Sequence, residues 1–276
     1  MQKLRKSQQK LRSALIGCAV FSIALTGVSC DRGGPETTTA LTGGSDAKMA
    51  ADRLAEAEPL WEGREDLAKA RVAVAALRQA RTADYGNYEA AWKLARASFY
   101  VGDHTENDDE RDNMFREGTE AGKSAVKLQP DKPEGHFWLG ANYGGAASHS
   151  TIANLSSFSD IKNEMDAVLK IDESYQGYSA YLGLGRLYLQ APRMFGGDSA
   201  KAVEYLEKGV KLNPNHSLMR YHLAQAYESN NRDAEAKKQI ETVMATTPDP
   251  KYMAEHKDAV EKSKKLLEKI EANTRR

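Results

Sequence analysis

The 276-residue sequence predicts an all-α fold, a superhelix of degenerate helical repeats interrupted by inserted loops. Three observations carry that expectation. From about Met49 the composition shifts to Ala, Leu, Glu, Lys and Arg, strong helix formers, with apolar residues three and four apart and few β-branched runs. One helix end recurs in near copies: Ala125-Val126-Lys127-Leu128-Gln129-Pro130, Ala167-Val168-Leu169-Lys170-Ile171-Asp172 and Gly209-Val210-Lys211-Leu212-Asn213-Pro214. The stops are regularly spaced. Pro214 and Pro248 lie 34 residues apart, while Pro130 to Asp172 and Asp172 to Pro214 each span 42, which suggests loops inserted within a 34-residue plan.

Fixing the plan at its stops places each element in turn. One long helix is expected over Arg64 to Arg81, then a degenerate unit with Leu94-Ala95 on a helix from about Tyr88 to Val101 and a second helix from Met114 to Leu128. After Pro130 the first helix of the next unit carries His136, Leu139-Gly140 and Tyr143. The following one carries Tyr181, Leu184-Gly185 and Tyr188, and the unit after Pro214 carries Leu223-Ala224 and Tyr227. This is a close-packing pattern: Gly or Ala lets the partner helix approach, while Leu and Tyr fill the space beside it. Ala202 and Ala236 hold the matching small position on the second helices, and Met253 to Thr274 reads as a terminal capping helix. Period and pattern are those of tetratricopeptide-type repeats, with four helix pairs plus caps expected.

The N-terminal segment is of another kind. Lys3, Arg5, Lys6, Lys10 and Arg12 precede an uncharged apolar run from Ser13 to Ser29, the layout of a secretory signal peptide over residues 1–29. The run is shorter than the roughly 20 residues a membrane-spanning helix needs. It ends in Gly27-Val28-Ser29-Cys30, which resembles the lipobox of bacterial lipoproteins, so lipidation is expected at Cys30. Leu15-Ile16-Gly17-Cys18 fits that box better letter by letter, but it follows Arg12 too closely to leave a full apolar region. An ordinary cleaved signal with incidental cysteines is the bland alternative. Two acyl chains would hold a soluble domain stably on a membrane, and Asp31 resembles the inner-membrane retention signal of enteric bacteria. Residues 30–48, with Gly33-Gly34-Pro35, Thr37-Thr38-Thr39 and Gly43-Gly44-Ser45, read as a flexible tether, and residues 49–276 as the repeat domain. With Cys18 and Cys30 the only cysteines, that domain has neither disulfide nor thiolate–metal chemistry. The chain is balanced at 39 basic and 39 acidic residues; without the leader's five it becomes mildly acidic, which argues against a nucleic-acid partner.

The leader with its cysteine, the degenerate repeats, the Gly135-His136-Phe137-Trp138-Leu139-Gly140 helix and the Gly196-Gly197-Asp198 loop together resemble the T-component lipoproteins of TRAP transporters, the TatT family, over most of residues 60–270. In that loop Asp198 would cap the helix Ser199 to Leu212. The resemblance implies a periplasmic protein that associates with a solute-binding protein, has a cavity or pore for small hydrophobic ligands, and can self-associate as a homo-oligomer.

Curved helical repeats usually bind on the face lined by their first helices. Projected on the 34-residue plan, that face carries Trp92, Arg96, Phe99, Phe137, Ala141, Leu182, Arg186, Tyr221 and Gln225. Apolar and aromatic residues with two arginines suit an apolar ligand with an anionic end, or an extended peptide; any one of them reads equally well as core. His104, His136, His149, His216, His222 and His256 lack the His-Glu-x-x-His spacing of a helix-borne metal site. The acidic stretch His104 to Asp112 lacks the glycine and alternating ligands of a calcium loop and reads as a solvated loop or helix start. Gly144 to Ser150 has no Lys-Ser or Lys-Thr partner and follows a helix, so a hinge or pore-lining insertion is expected rather than a nucleotide loop. No Gly-x-Ser-x-Gly or nucleophilic cysteine marks the domain. The expectation is a cofactor-free binding module on the periplasmic side of a membrane, not an enzyme, with a structural adaptor for envelope assembly as the alternative.

Overall fold

The computed structural model describes residues 46–149 and 155–274. The signal peptide, Cys18, Cys30 and the tether before Asp46 lie outside the described residues. Within them the regular structure is helical: α1 (Ala47–Glu62), α2 (Leu67–Ala83), α3 (Tyr88–His104), α4 (Asp108–Leu128), α5 (Pro133–His149), α6 (Leu155–Ile171), α7 (Tyr175–Gln190), α8 (Ser199–Leu212), α9 (Ser217–Ser229), α10 (Asp233–Ala245) and α11 (Met253–Thr274). No helix among the described residues is long and apolar enough to cross a membrane.

Local chemistry explains where these helices start. Asp46, Asp66, Asn87 and Asn107 each accept a hydrogen bond from a backbone N–H in the first turn that follows, at 2.8–2.9 Å. Asp198 does the same for α8, accepting from Ala200 and Lys201 at 3.0 and 3.2 Å, as the sequence implied. α4 begins earlier than Met114 because the acidic run fills its first turn with Asp108, Asp109 and Glu110, where carboxylates meet the positive end of the helix dipole. Ahead of α2 stands a further helix, α1, so the described chain forms five helix pairs and a terminal helix where four pairs and caps were expected. Asp46 starts α1 and Gly63 ends it.

Each odd-numbered helix packs on its own even-numbered partner and on the next odd-numbered helix, which makes α3, α5, α7, α9 and α11 a continuous inner layer. The Leu-Gly pattern acts as expected. A Cβ on Gly185 would lie 2.4 Å from Leu206 Cγ of α8, and one on Gly140 would lie 2.7 Å from Met165 Cε of α6. Leu184, Tyr181, Leu206, Met219 and Leu223 are fully buried around the second half, and Leu77, Leu94 and Val101 around the first; each such aliphatic side chain contributes about 2 kcal/mol. Asn142, buried on α5, donates to the carbonyls of Ala95 and Trp138 at 2.9 and 2.7 Å and ties α5 to α3.

Two departures from regular repetition matter for the site. At the start of α7, Gln176, Gly177 and Tyr178 have φ of 50, 65 and 69°, a left-handed break that costs about 1–3 kcal/mol for each non-glycine residue. The two ends of the repeat stack also meet. Arg64 lies 3.2 Å from Glu255, and Lys257 3.3 Å from Glu65, joining the α1–α2 corner to the first turn of α11.

Candidate functional site

The inner layer and the closing contact at its ends frame a half-enclosed cavity of about 980 Å³. Its aromatic walls are Trp61 before the α1–α2 corner, Phe99 and Tyr100 on α3, Phe137 and Trp138 on α5, Phe158 on α6, Phe195 in the α7–α8 loop and Tyr252 before α11. These rings support one another: Phe99 lies 6.0 Å from Trp138, Trp138 4.9 Å edge-on to Phe137, and Phe137 5.4 Å from Tyr175. Polar groups gather toward the C-terminal half, where Gln176, Ser179, Arg186, Asn213, Asn215 and His216 reach the wall.

The floor on α5 is made of Gly140, Ala141, Gly144, Gly145 and Ala147. Gly140 and Gly145 are small because a neighbour fills the space, Met165 and Phe115 respectively. Gly144 is different. A Cβ there would meet nothing within 4 Å, so packing does not account for a residue that costs a helix about 1 kcal/mol relative to Ala. Its backbone faces the open cavity. The Gly144 segment thus lies in α5 and on the cavity wall.

Of the nine positions projected from the sequence, Phe99, Phe137, Ala141, Leu182 and Arg186 line the cavity. The other four do not. Tyr221 is buried in the core of the second half, and Gln225 on the same helix accepts from the Nδ1 of buried His222 at 2.7 Å. Trp92 and Arg96 lie beside the wall: the Arg96 guanidinium sits 4.1 Å from the Trp61 ring centre and 5.0 Å from that of Trp92. Burial between the two indoles lowers its pKa to about 10. Projection missed Trp61, Tyr100 and Trp138. Tyr100 follows Arg96 by four residues and shares its helix face; Trp61 belongs to the helix that the repeat plan did not include.

Hydrogen-bond bookkeeping around Arg96 is uneven. Lys93 takes both neighbouring carboxylates, Glu58 at 2.8 Å and Glu89 at 2.7 Å. The buried Arg96 Nε is left without a hydrogen-bond partner among the described residues; the Trp138 and Gln176 side chains turn to the Tyr175 hydroxyl, which burial pushes up to about 12. Arg186 likewise has no acceptor among the described residues, and Asp258 on the cavity wall is held by Lys262 at 2.7 Å. Of these groups Arg186 is the cation that lines the cavity, so it is the one an occupant with acceptors would meet.

Paired helices around a concave inner layer define the class, a tetratricopeptide-type repeat protein, and the family profile described as tetratricopeptide repeat matches residues 196–255. Solved structures agree on the fold. A thermophilic tetratricopeptide protein of Thermus thermophilus, TTC0263, superposes with a TM-score of 0.56 at 18% identity over 76% of this chain and 98% of its own. Pseudomonas aeruginosa pilF gives 0.51 at 14% identity over 81% and 92%. The chain belongs to the family of regulator of microtubule dynamics protein 1–3, whose profile matches residues 53–191, half of its length. No curated protein matches it. Tetratricopeptide proteins are in general non-enzymatic scaffolds that bind protein partners, and the cavity sits where such binding takes place.

Proposed function

We propose that this protein is an exported, lipid-anchored binding module that holds part of a protein partner, or an apolar ligand no larger than its cavity, noncovalently against the inner helices. The observation that carries this reading is the half-enclosed 980 Å³ cavity with aromatic walls and an open glycine floor. Its volume is at the upper end of the roughly 300–1,000 Å³ of ligand sites. Export and anchoring at Cys30 are supported by the basic-then-apolar leader and its lipobox-like end. A partner in the bacterial envelope, a TRAP-type solute-binding protein among the choices, follows from that leader and the TatT resemblance.

Gly144→Trp tests the reading. The new ring enters open space rather than the core, so the fold survives while the cavity is filled. Native mass spectrometry of the full chain purified from its own host should show a bound partner or ligand that the variant lacks, with circular dichroism unchanged. A variant that keeps its cargo would sink the cavity assignment.

A further inference from the structure

Arg186 stands midway along the stripe of α7 that faces the cavity, with Ser179, Leu182 and Gly183 before it and Leu187 and Gln190 after it. Those positions recur three and four apart and share one helix face. The half-buried guanidinium has no hydrogen-bond or ion-pair acceptor among the described residues, whereas Arg64, the second arginine on the wall, is answered by Glu255. A guanidinium whose donors open on a cavity is a receptor for an anion. Its planar fork matches a carboxylate with two parallel bonds, about twice as strong as neutral ones.

The rest of the wall limits what else the occupant carries. Four acidic residues line the cavity, Asp103, Asp249, Glu255 and Asp258, against two arginines. The wall therefore accepts one negative charge beside Arg186 and repels a second. The neutral polar groups are largely spent within the chain: the Ser179 hydroxyl donates to the Gln176 carbonyl at 2.6 Å, Asn213 Nδ2 to the Gly177 carbonyl at 3.1 Å, and His216 accepts from the Met219 N–H. They leave few partners for a row of peptide amides, which are costly to bury unbonded. Along α5 the wall offers Phe137, Trp138, Ala141 and the open space at Gly144, surfaces that bury hydrocarbon.

We propose that the occupant is a small amphiphile with one carboxylate, its head bonded to the Arg186 guanidinium and its apolar chain or ring lying along α5 over Gly144. This rests on the cavity reading above and names the class of ligand.

The test is isothermal titration calorimetry on the full chain with Cys18 and Cys30 replaced by Ser, so that no acyl chain of its own competes. The probes are dodecanoate, naphthoate and the neutral amide of each. Each acid should bind about tenfold more tightly than its amide. Arg186→Met should erase that difference and leave amide affinity unchanged, while Gly144→Trp should weaken acid and amide alike. An amide that binds as well as its acid on the chain with Arg186 intact would overturn the proposal, and this comparison needs no variant at 186 to fold. A preference for the acid that survives Arg186→Met would overturn it too. In both cases loss of binding in Gly144→Trp leaves the cavity reading standing. If no probe binds but Gly144→Trp releases a protein cargo, the occupant is a protein segment and the carboxylate proposal falls alone. If no probe binds and Gly144→Trp releases nothing, or if probes bind that variant undiminished, both readings fall.

Discussion

Arg71 and Arg78 on α2 each give two donors to one carboxylate on α4, Glu110 and Glu117, at 2.6–2.7 Å. Arg96 on α3 and Arg186 on α7, set deeper, give theirs to no described acceptor. The outer pairs are seven residues apart on both helices, two turns, so they repeat with the helix and bridge neighbouring second helices that otherwise lack close contact. On the outer face these two arginines are both paired. Inside, where desolvation makes pairing matter most, Arg64 meets Glu255, whereas Arg96 and Arg186 have no hydrogen-bonded acceptor among the described residues. The contrast assigns the outer charges to holding repeats together.

Acid provides the largest test of that contrast, because the inner face also holds histidines that resist protonation. His216 accepts from the Met219 N–H at 3.3 Å, meets the Ser179 hydroxyl at 3.2 Å and faces the Tyr252 ring at 6.5 Å. Burial lowers its pKa to about 4. His222 is lowered too, by burial first and then by the charge of Arg186. At His216 the unfolded chain takes up its proton near pH 6.5 and the folded chain not until about 4, so stability falls as pH drops through that window and levels off below it, with His222 adding in the same direction. For His216 alone the loss is about 3 kcal/mol. His136 runs the other way: its hydrogen bond to Glu164 at 2.6 Å raises its pKa. Its contribution is complete below pH 6.5 and is lost as pH rises through the raised folded value. Urea unfolding at pH 4 and pH 7 should show the net acid loss, and His216→Asn, which keeps an N-cap acceptor, should reduce it. An unchanged pH slope in that variant would place the acid sensitivity elsewhere.

A smaller effect compares the two faces directly. Glu117→Gln removes the charge that answers Arg78, a pair whose side chains are 22% and 50% exposed, and should cost about 0.5–1 kcal/mol. Arg96→Met removes a more deeply buried cation whose neighbouring carboxylates, Glu58 and Glu89, are hydrogen-bonded to Lys93 instead. It loses the stacking on Trp61 and Trp92 but also the desolvation of an unpaired charge, so it should cost less than Glu117→Gln in thermal unfolding. The opposite ranking would mean that the indole sandwich is structural and that Arg96 is held for stability.

Much of this architecture was legible in the sequence. Helix starts follow from Asp, Asn and acidic first turns, and the packing of α5 on α6 and α7 on α8 from Leu139-Gly140 and Leu184-Gly185, because these are local signals with a fixed geometry. The inner face was legible where the 34-residue plan held, on α3, α5 and α7, and slipped by a helical turn or less at Trp92 and Arg96. On α9 it failed at Tyr221 and Gln225, since the terminal helix α11 packs over that face and turns it into core. Trp61, Glu65 and Arg64 could not be placed from periodicity. Their role depends on the ends of the stack meeting, a contact between residues about 190 apart that superhelical curvature decides.

That meeting sets the smallest and most informative stability effect. The body of α11 is fixed by Ala259, Ser263, Leu266 and Ile270, all buried, whereas its first turn reaches the α1–α2 corner through Arg64–Glu255 and Lys257–Glu65. The second pair is more than half exposed on both sides, so Lys257→Ala should change stability by less than about 0.5 kcal/mol. Arg64 stays near the wall, 5.0 Å from the Trp61 ring centre and 5.8 Å from that of Tyr100, so it is the α11 side that is free to move when the charges are removed. Spin labels on Glu62→Cys and Glu261→Cys, with Cys18 and Cys30 replaced by Ser, report that separation. Lys257→Ala with Glu255→Gln, or high salt acting on the unaltered pairs, should broaden the distance distribution while the unfolding midpoint hardly moves. A distribution that stays narrow under both treatments would show that packing, and not charge, closes the outer rim of the cavity.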